Sequence, residues 1–154
     1  MQQDQRKWLW WVAVGLWIAT VLTFSSDRFS AEATSRFLGP LVRWMFPMLS
    51  AEAQQLVESM LRKAAHPFEY AVLAALTHRA LRESSAVWHS AGFALALVVA
   101  VAVADETHQA FAVARTGSAI DVAIDVAGGA AALLLLTGTR RFVQTRRLRR
   151  EDAG

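Results

Sequence analysis

Long apolar blocks constrain the fold of this chain more than any other feature of its sequence. WLWWVAVGLWIATVLTF (Trp8–Phe24) runs for seventeen residues without a charged side chain, and AVWHSAGFALALVVAVAVA (Ala86–Ala104) runs for nineteen. An α-helix needs about 20 mainly apolar residues to cross the hydrocarbon core of a bilayer. The blocks therefore predict transmembrane helices, and we expect an all-α membrane protein.

The composition supports the same class of protein. Apolar residues make up 55% of the 154 residues and charged residues 19%, so the chain is more apolar and less charged than soluble domains. This length suits one domain, and residues 1–154 are predicted to form a single membrane domain. The sequence contains no cysteine, which excludes disulfide scaffolds and cysteine-based metal sites.

Four membrane spans are predicted, at about residues 8–26, 66–82, 86–104 and 119–138. The second is the least apolar, because its uncharged core, Tyr70–Thr77, is short. A helix over residues 66–82 is still about 25 Å long, which is enough if its polar ends reach the membrane interfaces. Pro67 is expected in the first turn of that helix, where proline is tolerated.

The segment between the first two spans is predicted to lie in the membrane interface. FLGPLVRWMFPML, residues 37–49, is apolar but interrupted by Pro40, Arg43 and Pro47, so it should not span as a regular helix. Ser50 follows and is expected to cap an amphipathic helix that leads to the second span.

Positively charged residues predict the orientation. Ten of the sixteen Lys and Arg residues fall on the side of both termini, and six of these are arginines in the tail, residues 139–154. Cytoplasmic segments of membrane proteins carry an excess of Lys and Arg, so both termini are predicted to be cytoplasmic. A run of arginines directly after a span is explained more simply by anionic lipid headgroups than by nucleic acid, and we expect no nucleic-acid partner.

Charged and polar residues collect at the ends of three predicted spans. On the predicted topology all of them lie on the outer side of the membrane: Lys63, His66, Glu69, Tyr70, Asp105, Glu106, Gln109, Arg115, Asp121 and Asp125. Within each group the spacing is mostly three or four residues, which forms a stripe on one face of a helix. Since a buried charge is expensive in hydrocarbon, the stripes are expected to face one another, with neighbouring side chains about 4–6 Å apart.

These residues form three ordered motifs that resemble the VanZ-like family of bacterial membrane proteins. The motifs are KxxHxxEY at 63–70, DExxQ at 105–109 and RxGSxxDxxxDxxG at 115–128, and Ser25-Ser26 is similar to the Ser-rich exit of the family's first span. The resemblance implies a multi-pass four-span bundle in the bacterial cytoplasmic membrane, an outer polar cluster, and an association with resistance to the lipoglycopeptide teicoplanin. It implies no established reaction. At Asp125 the family often has Asn.

Two functional hypotheses follow from the polar residues. In the first, the ten residues bind a membrane lipid, a lipid-linked envelope precursor, a glycopeptide or another membrane protein, with residues 37–49 as an apolar lip. In the second, a membrane enzyme acts on a lipid-linked phosphate: Asp105, Glu106, Asp121 and Asp125 are the candidate ligands of a divalent cation such as Mg²⁺. Lys63 and Arg115 would then contact phosphate, and His66, Glu69 and Glu106 are the catalytic candidates. No P-loop or HExxH motif is present.

The third hypothesis is a purely structural ion-pair network. Lys63 and Arg115 can offset only two of the five carboxylates, so either some carboxyl groups are protonated or a cation binds. His78 and His89 lie at the opposite ends of the second and third spans, and both are expected to be interfacial residues without a functional role.

Overall fold

The computed structural model describes residues 2–25, 31–82, 86–110 and 118–151, and these residues confirm the all-α prediction. They form five helices: α1 Gln2–Phe24, α2 Ala31–Met45, α3 Ala51–Leu81, α4 Val87–Ala110 and α5 Ala119–Glu151. Ser50 caps α3, because its hydroxyl accepts a hydrogen bond from the Ala53 amide at 3.3 Å. This cap was predicted from the sequence.

Three of the described helices are long and apolar enough to cross a membrane. The qualifying stretches are Lys7–Phe24 in α1, Val87–Ala110 in α4 and Ala119–Thr139 in α5. Most of the surface of these stretches is exposed, including large side chains such as Trp8, Leu16 and Leu134. Apolar surface on this scale is typical of helices that face lipid, so three of the predicted spans agree with the structure.

Helix α3 lies at the centre of the bundle and contacts each of the other four helices. Its second half buries Tyr70, Leu73, Ala74, Thr77 and His78 against those neighbours. α3 does not reach the apolarity of the three membrane helices among the described residues. A helix surrounded by protein can keep polar residues that a lipid-facing helix cannot, so its composition follows from its position.

The position predicted for Pro67 is wrong. α3 begins at Ala51 and runs without a break to Leu81, so Pro67 lies in the helix interior rather than in a first turn. Gly128 of α5 packs directly on the backbone at this point: a Cβ atom there would lie 2.7 Å from the Pro67 Cα. The contact between α3 and α5 supports the helix where proline removes a hydrogen-bond donor.

The segment predicted to lie in the membrane interface is partly helical. α2 includes Pro40 and Arg43 and ends at Met45. Residues 46–50 form the turn that separates it from α3. Gly39 and Val42 are buried, whereas Phe37 and Trp44 are exposed. Packing of one face against α3 thus stabilises α2 despite its proline, as is usual for amphipathic helices. A location in the membrane interface stays a prediction.

Contacts between helices define the two ends of the bundle. At one end, here called the polar end, the Gln109 amide contacts Ser25 and the Ser118 amide contacts Glu106. At the other, the histidine end, the Arg79 guanidinium lies 5.0 Å from the centre of the Trp10 ring and His78 contacts Ser90. α1, α3, α4 and α5 therefore alternate in direction, while the membrane topology stays a prediction.

Candidate functional site

A chain of buried hydrogen bonds joins three helices at the polar end. The Tyr70 hydroxyl donates to Asp105 Oδ2 at 3.4 Å, and Gln109 Nε2 donates to the same oxygen at 3.1 Å. Gln109 Nε2 also donates to Ser25 Oγ at 2.5 Å. We call these four buried residues, Ser25, Tyr70, Asp105 and Gln109, the Asp105 cluster. It connects the end of α1 with α3 and α4.

Asp105 and Gln109 reach this position because α4 extends past the predicted membrane span, residues 86–104. The helix continues beyond residue 104 to Ala110, so both residues lie in its last turns and, being four apart, share a face. Tyr70 projects from the buried face of α3 toward them. The stripe predicted from the spacing of the DExxQ motif is thus present on α4.

Asp125 lies beside the Asp105 cluster without joining it. Its side chain is 1% exposed, and neither carboxylate oxygen has a hydrogen-bond partner among the described residues. The charges that act on it come mainly from Asp105 and Glu106, and then from Asp121 and Glu69. Asp105 also has one oxygen, Oδ1, without a partner in the described part of the chain. Acidic groups of three helices therefore approach one another at this end.

Glu106 has a local structural role that its sequence position did not reveal. Its Oε2 accepts a hydrogen bond of 2.7 Å from the Ser118 amide, just before α5 begins. The Ser118 hydroxyl accepts from the Ile120 amide at 3.2 Å, so Ser118 caps the N-terminus of this helix. The helix dipole also favours a carboxylate at a helix N-terminus. Glu106 thus links the end of α4 to the start of α5 through this hydrogen bond.

His66 and Glu69 line a cavity of about 300 Å³ between the end of α1, α2 and α3. Most of its wall is apolar, and the principal lining residues are Phe24, Leu38, Leu61, Arg62, His66 and Glu69. The Trp17 indole donates a 2.9 Å hydrogen bond to the Glu69 carbonyl, which fixes the α3 backbone on α1 at this level. We call this space the apolar cavity.

The remaining predicted residues lie elsewhere. Lys63 and Asp121 are exposed on their helices, although the charge of Asp121 still reaches Asp125. Arg115 lies outside the described residues. Across the described ranges no three His, Asp or Glu side chains are arranged to hold a metal ion, so the geometry offers no support for the divalent-cation hypothesis there. The candidates for that hypothesis were Asp105, Glu106, Asp121 and Asp125.

Two residues of the site were missed in the sequence. Ser25 was noted only as part of a Ser-rich exit, and Trp17 only as one aromatic residue of an apolar block. Their partners lie 84 and 52 residues away along the chain, so no local spacing could indicate them. The only available signal was that a hydroxyl at the end of the first span and the DExxQ motif were predicted on the same membrane side.

His78, predicted to be an interfacial residue, is buried against neighbouring helices, and its depth in a membrane stays a prediction. His78 is 2% exposed, and its Nδ1 lies 3.1 Å from the Ser90 hydroxyl, which also donates to the Val87 carbonyl at 2.9 Å. His78 lies on the buried face of α3, whose central place in the bundle the sequence could not show. His89 is exposed.

Comparison of the chain with known proteins gave one match, to a protein family. No curated protein and no solved structure matches the chain. A family model described as VanZ/LLP1 matches residues 10–141. The matched region contains the Asp105 cluster, Asp125 and the apolar cavity, together with all three apolar membrane helices in large part. The match covers most of the sequence, so the chain belongs to the VanZ/LLP1 family.

Proposed function

We propose that this VanZ/LLP1-family chain is a membrane protein that binds an amphiphilic lipid of the cell envelope. The observation that carries the proposal is the apolar cavity, whose wall combines Phe24, Leu38 and Leu61 with Arg62, His66 and Glu69. Binding sites for small molecules are typically apolar pockets with a few polar groups that orient the ligand. A lipid has both kinds of surface, and its chain and headgroup fit the two parts of the wall.

The Asp105 cluster holds this cavity in place. Tyr70 is adjacent to Glu69 in α3, and its hydrogen bond to Asp105 fixes the α3 backbone relative to α4. Ser25 directly follows Phe24 and accepts a hydrogen bond from Gln109, which fixes the end of α1 relative to α4. The cluster therefore positions two walls of the cavity, as supporting residues do in preorganised binding sites. This role explains why buried polar groups are retained at membrane depth.

The proposed orientation places the polar end outside the cell, with α3 as a fourth span and both termini in the cytoplasm. Ten of the sixteen Lys and Arg residues lie on the side of the termini in this orientation, and such an excess is typical of the cytoplasmic side. Binding of an envelope lipid at the outer leaflet would also connect the chain with the lipoglycopeptide resistance that the family resemblance implied. Teicoplanin susceptibility of a deletion strain would test that connection.

Reporter fusions test the orientation. We expect an external signal at Ala31 and cytoplasmic signals at Ser85 and Gly154, because four spans return the chain to its starting side. If α3 does not span the membrane, the signals at Ser85 and Gly154 become external. An external signal at Gly154 would therefore contradict both the fourth span and the cytoplasmic C-terminus.

Filling the apolar cavity tests lipid binding. Leu38→Trp places a larger side chain inside the cavity and fills part of the space for lipid. We therefore expect about tenfold less lipid to copurify with the protein, which corresponds to a loss of about 1.4 kcal/mol of binding free energy. The matched control is Leu41→Trp, because Leu41 is exposed on the same helix. Mass spectrometry of the bound molecules and thermal unfolding would be measured together. Unchanged lipid binding by folded Leu38→Trp would contradict the proposal, and so would a bound glycopeptide or protein in place of lipid.

A further inference from the structure

A second, polar cavity of about 350 Å³ lies between α2 and α3. It is lined by polar and charged residues: Ser35, Arg43, Gln55, Glu58, Ser59 and Arg62. Arg62 lines the apolar cavity as well, so the two cavities share this residue in their walls. One residue thus belongs to the wall of an apolar cavity and to the wall of a polar one.

Gly39 makes room for the charged groups of this polar cavity. A Cβ atom at Gly39 would lie 3.2 Å from Arg43 Nη1 and 3.2 Å from Glu58 Oε1. The guanidinium of α2 and the carboxylate of α3 therefore both rest over the bare backbone of this glycine. Two guanidinium groups and one carboxylate leave one net positive charge among the lining residues.

We propose that the polar cavity binds a phosphate headgroup and that the ligand of the two cavities is an anionic phospholipid. This inference rests on the lipid binding proposed above and specifies the class of lipid. The planar guanidinium groups of Arg43 and Arg62 match the geometry of phosphate oxygens, and each can donate two parallel hydrogen bonds. The hydroxyl groups of Ser35 and Ser59 supply further donors.

The position of Arg62 gives the order of the parts along the ligand. Arg62 is common to both cavities, so in this proposal the phosphate binds to Arg62 and Arg43, and the hydrocarbon chain extends past Leu61 toward Phe24. Glu58 limits the positive charge and accepts hydrogen bonds from hydroxyl groups carried by the headgroup. A neutral headgroup offers the two guanidinium groups no charged partner, and so it binds less tightly.

The test compares two lipids that differ only in phosphate. Phosphatidic acid and diacylglycerol with identical acyl chains are titrated into the purified full-length protein in detergent, and binding is measured by native mass spectrometry. We expect about tenfold tighter binding of phosphatidic acid. Arg43→Gln and Arg62→Gln should each remove most of this preference, by lowering the affinity for phosphatidic acid toward that for diacylglycerol. Arg62→Lys, which keeps the charge but loses the planar fork, should fall between Arg62→Gln and the native protein.

Arg36→Gln is the matched control, because Arg36 is an exposed arginine of α2 outside the polar cavity. Equal affinity for the two lipids, or an equal loss of preference in Arg36→Gln, would overturn the phosphate site and leave lipid binding intact. No binding of either lipid would overturn the proposed function itself. Displacement of phosphatidic acid by millimolar inorganic phosphate would identify free phosphate rather than a lipid as the ligand.

Discussion

Gly128→Ala is expected to lower the free energy of unfolding by about 1–3 kcal/mol or more, the usual cost of forcing an extra methyl group into a packed interior. The added Cβ atom would lie 2.7 Å from the Pro67 Cα and 2.8 Å from its carbonyl carbon. Both are backbone atoms and cannot rotate away. Helices α3 and α5 would have to separate, and their contact is the most extensive between helices among the described residues.

The sign of this effect makes the experiment decisive. In an unconstrained helix the same substitution stabilises, because alanine is favoured over glycine by up to about 1 kcal/mol. Gly138→Ala is the matched control in α5, since a Cβ atom there meets nothing within 4 Å. Thermal unfolding of the two purified variants in detergent gives the comparison. Equal melting temperatures would contradict the close approach of α5 to Pro67.

Asp105→Asn is expected to lower stability and Asp125→Asn is not, although the two side chains are equally buried. Asp105 accepts hydrogen bonds from Tyr70 and Gln109 on one oxygen, and a neutral amide weakens these bonds or reverses their geometry. We expect Asp105→Asn to cost about 1–3 kcal/mol, the usual penalty for leaving a buried hydrogen-bonding group without its partner.

Asp125 makes no hydrogen bond to the described residues, so Asp125→Asn removes no such contact. It does remove repulsion from Asp105 and Glu106, and we expect an unchanged or higher melting temperature. In the double variant the two effects should not add, because the residues are electrostatically coupled. Thermal unfolding of the two single variants and the double variant measures this coupling. A loss of stability in Asp125→Asn as large as that in Asp105→Asn would show that Asp125 is a bonded member of the cluster.

Features that depend on short stretches of chain were predictable from the sequence. The apolar blocks determine α1, α4 and α5, because the thickness of the hydrocarbon core sets a length of about 20 residues for a spanning helix. Ser50 and Ser118 cap the next helices through bonds to amides two or three residues away. The four-residue spacing of Asp105 and Gln109 places both on one face of α4, whatever lies opposite.

Features that depend on which helix is the neighbour were decided only by the tertiary structure. α3 continues through Pro67 because α5 packs on it through Gly128, and His78 is buried because α3 lies among the other helices. Ser25 joins Gln109 across 84 residues of sequence. Helical periodicity shows which residues share a face, but it does not show which face of another helix stands opposite, because that is chosen by packing in three dimensions.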